Sequence, residues 1–427
     1  MGGPGQWRDA WSGAGPRGPL RAAVAASLLA VACGCGPGGG DAREDRERAA
    51  LQRVLERQAS AVRSGDESRY VAETDARAAR YRTAQRKVFG NLQRLPFTEW
   101  SYRILKLRHT ERDGRARVEA DVRLSYRLRG DDRAPVTATE RLAFAKRDGR
   151  WYVSAELPGS DRQLWEQGEI TVVRGEQSMV LGVGRSREAL RALARDADRS
   201  VSEVSGVWTR PWPRRVVVEA PESLRRMAQL LDAPAKTYEG IAAVTTGEAG
   251  ESTKAPADRI VVNPEAYGEL SDEGRQVVLT HETVHVATRT HTGSATPLWL
   301  SEGLADWIGY RGTGRTPKGA AAELVRAAEA GELPRELPSD RDFRFGSDPE
   351  ALGRAYESGW LACRFIAGEW GDAKLLDFYL RVGESGSTGG EGNGDEASVD
   401  RAMREELGLT LGEFTERWRS YVRDELS

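Results

Sequence analysis

Residues 277–307, VVLTHETVHVATRTHTGSATPLWLSEGLADW, constrain the fold more than any other stretch of the 427-residue chain. They predict two helices joined by a short loop. Ser271 is a good N-cap, and Asp272 and Glu273 follow it where the helix dipole favours negative charge. The first helix runs on through GRQVVLTHETVHVATR, so His281 and His285, four apart, project from one face. Pro297 suits the first turn of a second helix, reaching to about Tyr310 and antiparallel to the first. Such a hairpin presents Glu302 to the two histidines.

Two imidazoles on one face can reach one metal ion, and Glu282, one position on, stands beside that ion as a proton acceptor. HETVH is the H-E-x-x-H pattern of a zinc peptidase helix. A tetrahedral zinc that keeps a position open for water needs a third protein ligand. His291 lies ten residues after His281, the spacing of H-E-x-x-H-x-x-G-x-x-H. Thr288 occupies the glycine position, however, and a β-branched residue resists the positive φ needed there. No methionine falls between Met227 and Met403 to form the methionine turn of that pattern. Glu302 is the better candidate.

The pairing of HETVH with WLSEGLADW resembles the gluzincins, in which a ligand glutamate follows the histidine helix after some sixteen to twenty residues. RIVVNP, VVLTHETVHVATR and TPLWLSEGLADWIGYR look like the peptidase MA-like domains of secreted bacterial proteins. The resemblance covers roughly 165–425 and is motif-dense from 258 to 310. It implies one zinc ion on His281, His285 and Glu302, with Glu282 as general base and Asp306 hydrogen-bonded to a ligand histidine to fix its tautomer. Zinc is favoured over iron because the two histidines and the carboxylate ride on an H-E-x-x-H helix with an adjacent glutamate. It also implies peptide-bond hydrolysis, with the substrate backbone held along an edge strand for which DRIVVNP matches by position. An oxyanion stabiliser is expected downstream, and Tyr356 in RAYESGWLACRFI falls at a comparable distance, with Tyr310 and His291 as alternatives. Arg354 and Arg364 are candidates for contact with a substrate carboxylate.

The N-terminus reads as an export signal: Arg8, Arg17 and Arg21, then AAVAASLLAVA, then Cys33. LAVAC resembles the bacterial lipobox, although Ala30 stands at the preferred leucine. This implies a signal over 1–33, lipid attachment at Cys33, a flexible tether over 34–41, and an extracytoplasmic protein held at the membrane. Residues 42–95 carry helical periodicity in Leu51, Val54 and Leu55. Then Val118, Ala120, Val122, Leu124, Tyr126 and Leu128 alternate with polar residues, the period of a sheet with one buried face. FAKRDGRWYVSAE predicts a hairpin about Asp148-Gly149. Helices followed by a meander over 42–160 resemble the nuclear-transport-factor-like, cystatin-like α+β cone. No histidine or clustered carboxylate in this stretch suggests catalysis, so a scaffold role is expected.

The whole chain is therefore expected to be α+β, a cystatin-like domain followed by a gluzincin-like one over 165–425. The 63 Lys+Arg and 65 Asp+Glu leave a net charge of −2, so no field of one sign recruits nucleic acid. Cys363 reads as a buried small hydrophobe and His109 as an ordinary strand residue. Residues 383–398 read as a mobile loop, and Leu407, Leu411, Phe414, Trp418 and Tyr421 as core. The rival to a peptidase is a non-catalytic binding or assembly lipoprotein that keeps a relic site.

Overall fold

The structure, a computed structural model, describes residues 40–112, 115–246, 258–344, 348–385 and 394–427. The export signal, Cys33 and the tether up to residue 39 lie outside the described residues; Gly40 and Asp41 begin the first helix. The chain divides into two compact units between Glu166 and Gln167. Secondary structure is mixed α+β, with a small sheet in each unit. Among the described residues, no helix is long and apolar enough to cross a membrane.

In the first unit, α1 (Gly40–Ser64), α2 (Glu67–Ala72) and α3 (Ala79–Leu92) precede a four-stranded antiparallel meander. Its strands are β1 (Phe97–Arg112), β2 (Arg115–Leu128), β3 (Val136–Arg147) and β4 (Arg150–Glu156), and α4 (Leu164–Gln167) follows. Alternation along β2 buries all six expected residues, and Leu51, Val54 and Leu55 of α1 share the core of that sheet. Asp148 and Gly149 both take positive φ, 48° and 82°, as the two-residue turn between β3 and β4 requires. His109 pairs with Glu47 at the surface. Glu140, Glu156 and Glu166, scattered in sequence, line one recess because β3, β4 and α4 bring them together.

In the second unit, β5 (Ile170–Arg174) and β6 (Ser178–Val183) are followed by α5 (Arg187–Val207), β7 (Val216–Ala220) and α6 (Leu224–Leu230). A 3-10 turn leads to β8 (Ala243–Thr245), and β9 (Ile260–Val262) then inserts between β7 and β8. The order is β5-β6-β7-β9-β8, with β9 parallel to β7 and antiparallel to β8. DRIVVNP is thus an inner strand, and AVT of β8 is the edge. Sequence order misleads here because the later strand takes the inner place.

The helical remainder comprises α7 (Pro264–Glu269), α8 (Asp272–Thr288), α9 (Leu298–Gly309), α10 (Pro317–Ala320) and α11 (Ala322–Glu329). After these come α12 (Pro349–Trp370), α13 (Asp372–Ser385), α14 (Gly394–Glu406) and α15 (Leu411–Leu426). Ser271 caps α8, its hydroxyl accepting from the Gly274 N–H at 3.1 Å. Of the expected loop over 383–398, residues 383–385 and 394–398 are helical, and 386–393 lie outside the described residues. Phe414 and Trp418 are fully buried, while Leu411 and Tyr421 are partly so.

α9 and α12 meet backbone to backbone. A methyl group at Gly303 would overlap the Gly359 carbonyl, and one at Gly359 would stand 2.6 Å from the Trp299 oxygen. Only glycine permits so close an approach. Gly359→Ala is therefore expected to cost about 1–3 kcal/mol in urea denaturation and to displace Glu302, the neighbour of Gly303. Gly368→Ala, exposed on the same helix with nothing within 4 Å, is the control. It should be neutral or stabilising by up to about 1 kcal/mol. Equal effects of the two variants would refute this account of the contact.

Candidate metal centre

Three donor atoms converge inside the second unit. His281 Nε2 and His285 Nε2 are 3.1 Å apart. Glu302 Oε2 lies 3.2 Å from the first and 3.4 Å from the second. Ligands about 2.0–2.1 Å from a tetrahedral ion stand about 3.3 Å from one another, so the triangle has the edge lengths such an ion demands. Among the described residues this is the one group of three potential metal ligands so gathered.

The chemistry of the three atoms also favours a cation. His281 Nδ1 is hydrogen-bonded to Asp306 Oδ1, which leaves the Nε2 lone pair facing the centre of the triangle. Glu302 Oε2 is buried without a hydrogen-bond partner. Burial alone would raise the Glu302 carboxyl, but His285 and His281 more than reverse this and hold it down at about 2. It is therefore a carboxylate. Burial pushes Asp306 up to about 7 against the pull of His281; one proton is shared between the two, on the Nδ1 side when Nε2 binds a metal. Two imidazole nitrogens and a carboxylate oxygen converging in a dry interior form a donor set that one shared cation would satisfy.

Each donor is fixed by its element. Helical periodicity puts His281 and His285 together on α8, with their rings at 77°. α8 is in turn held against α5, where the Thr280 hydroxyl donates to Glu203 Oε2 at 2.7 Å. α9 brings Glu302 and Asp306, one helical turn apart, to the same face. Its first free N–H, that of Leu298, donates to Asp340 Oδ1 at 2.9 Å, so the 312–350 stretch caps α9 as well as forming α10 and α11.

Glu282, 2 % exposed, is held by a residue that sequence reasoning missed. The Thr245 hydroxyl, at the end of edge strand β8, donates to Glu282 Oε2 at 2.7 Å. Nearby, Arg289, the C-cap residue of α8, pairs with Asp258 at 2.9 Å and donates to the Thr246 carbonyl at 3.0 Å. That clip ties the end of α8 to residues flanking the edge strand β8 and the inner strand β9. No motif announces Thr245, because its link to Glu282 depends on the inserted order of β8 and β9.

The remaining candidates fall as follows. His291 packs its ring against Trp208, 5.6 Å between centroids, and does not join the triangle. Tyr356 of α12 is 1 % exposed, its ring 6.4 Å from that of His281 and edge-on to Phe343. Tyr310 packs against Trp360 at 4.9 Å. Arg364 interacts with Tyr421 of α15, and Arg354 is half-buried on α12. Cys363 is fully buried, and its thiol is pushed upward by that burial.

No protein-family model matches the chain, and no curated protein matches it. Among solved structures it is similar to a two-domain M1 zinc metallopeptidase mutant bound to L-arginine, at a TM-score of 0.34 and 17 % identity. That match covers 76 % of this chain and 60 % of the other. An M1 zinc metallopeptidase from Deinococcus radiodurans is similar at a TM-score of 0.32 and 18 % identity, covering 77 % of this chain and 62 % of the other. This chain thus spans less than two thirds of the M1 chains it matches. A protein of unknown function from Mycobacterium tuberculosis is similar at a TM-score of 0.21 and 16 % identity, over 30 % of this chain and 80 % of that one. Likenesses this distant carry no functional argument.

The geometry makes a prediction about metal affinity, measured by competition with a chromophoric chelator. Glu302→Ala and His281→Ala should each abolish stoichiometric zinc binding, while His291→Ala should leave it intact. Asp306→Asn should weaken it by about 10–100-fold, since only the orientation and basicity of His281 change. Retention of zinc by Glu302→Ala together with its loss in His291→Ala would reverse the assignment.

Proposed function

We propose that this chain is a zinc-dependent peptidase, carried on an extracytoplasmic protein that is lipid-anchored through Cys33. The observation that carries the reading is the triangle of His281, His285 and Glu302 with Glu282 and Asp306 beside it. Two neutral imidazoles and one carboxylate suit zinc and leave room for a fourth, exchangeable ligand. The finer fold assignment, a gluzincin-like domain behind a cystatin-like one, belongs to the same proposal.

Bound there, zinc supplies the acidity that makes water a nucleophile near neutral pH, and it polarises a carbonyl. The chain's own residues do the rest. Glu282 takes the proton of the attacking water and delivers it to the leaving amine. Thr245 holds one carboxylate oxygen of Glu282, so that the other is the one free to accept. Asp306 keeps the proton of His281 on Nδ1. Edge strand β8 offers its unpaired backbone to an extended substrate as a further strand, which sets the peptide beside Thr245 and Glu282. Tyr356 is the proposed oxyanion donor, supported by the closeness of its ring to His281.

A second reading, a binding or assembly lipoprotein with a relic site, draws on the depth of the centre. The side chains of His281 and Glu302 are 5 % and 2 % exposed, and His285, the most open of the three, is 14 % exposed. Digestion of a peptide library separates the two readings. Glu282→Gln should keep its zinc and lose about 10²–10⁴-fold in kcat/KM. Thr245→Val should lower kcat by about 10–100-fold through misplacement of the base, with zinc affinity unchanged. Tyr356→Phe should lower kcat by about 10²–10³-fold, and an unchanged kcat removes Tyr356 from the machinery. If wild type and Glu282→Gln digest the library equally, the peptidase reading fails. Cys33→Ala should release the chain from the membrane fraction.

A further inference from the structure

The first unit encloses a recess of about 400 Å³, counting its opening to solvent. Three carboxylates line it, Glu140, Glu156 and Glu166, together with Gln58 and the aromatic rings of Tyr81, Trp100, Tyr102 and Trp165; no Lys, Arg or His does. Glu140 lies between Ala138 and Leu142 on the face of β3 that is turned to the core, and its cross-strand neighbour is Val122, which is fully buried. An apolar residue is expected at that position. Among the described residues Glu140 makes neither an ion pair nor a hydrogen bond. Burial, with Glu166, Glu156 and Asp161 nearby, holds its carboxyl well above the usual range.

Gln58 gives a second, independent sign. It is 4 % exposed, lines the recess, and has no hydrogen-bond partner among the described residues. Its amide faces the recess, where it can both donate to and accept from a bound ligand. Glu156 and Glu166, by contrast, share the exposed Arg162, at 3.0 Å and 3.7 Å. Tyr70 is likewise satisfied, donating to Gln85 Oε1 at 2.6 Å. The polar groups of the recess left open to a ligand are therefore Glu140 and Gln58.

We propose that this recess binds a small organic cation bearing N–H donors, an alkylammonium or guanidinium group, with Glu140 as its counter-charge. An ionised carboxylate accepts and cannot donate, so a ligand that binds Glu140 in its charged form brings N–H groups and a positive charge. Aromatic side chains around a cation add the attraction of their π-faces. A bare metal ion does not suit the site. Among the described residues only His281, His285 and Glu302 bring three possible ligands within 4.8 Å of one another, so these three carboxylates stand too far apart to close on one ion.

The test is calorimetric titration of the full chain with methylguanidine and with ethylamine, using tetramethylammonium and calcium as controls. One of the two donor-bearing probes should bind saturably at one site. Glu140→Gln should weaken it by about 10–100-fold, as expected when an ion-paired hydrogen bond is lost. Glu140→Gln is close to isosteric and removes an unpaired acid from an apolar wall, so its melting temperature should equal or exceed that of the wild type. Gln58→Leu should weaken the same probe while leaving the fold intact. Four results would each overturn the proposal: no saturable binding of either probe, undiminished binding by Glu140→Gln, equal binding of tetramethylammonium, or displacement of the probe by calcium.

Discussion

The backbone contact between α9 and α12 sets the depth of the candidate metal centre. Gly303 and Gly359 let the two helices touch, and Glu302 is the residue beside Gly303. The distance of Glu302 from the histidines is therefore fixed by main chain rather than by a swinging side chain. Asp306, one turn further along α9, is placed by the same contact. Around them stand Leu300, Leu304 and Leu361, all fully buried. Polar groups in such surroundings need full partnership, and a cation shared by three ligand atoms provides it where hydrogen bonds do not.

Much of this was legible in the sequence because it is local. A spacing of four on one helix brings His281 to His285 regardless of tertiary detail. Pro297 marks the start of the second helix, and a short loop leaves an antiparallel return as the simple path for Glu302. Thr288 where a glycine is required, and the absence of a nearby methionine, argue against His291; in the structure its ring lies against Trp208. Alternation in β2 was equally readable, since a strand with one buried face has only one period available.

What escaped the sequence is non-local. β9 follows β8 in the chain yet lies inside it in the sheet, and short apolar runs such as AVT and IVV hold no information about which takes the edge. Thr245 reaches Glu282 only through that order. Glu140 was missed for a related reason. TATERLAF alternates loosely, and a glutamate within it reads as solvent-facing until the register of β2 and β3 sets it opposite Val122. Glu156 and Glu166 then come from other elements altogether, so no window of sequence contains the cluster.

The chain thus gathers acceptors in two ways that differ in scale. At the candidate metal centre three potential ligand atoms stand 3.1 to 3.4 Å apart, a spacing that suits a point charge. Any larger cation would force α8 and α9 apart, and the glycine contact behind α9 resists that movement. In the recess of the first unit the carboxylates are spread over β3, β4 and α4, with aromatic rings among them. A point charge there could satisfy one carboxylate and leave the others facing one another. Separation of acceptors, more than their number, decides which kind of cation each site can hold, and separation is set by the backbone elements that carry them.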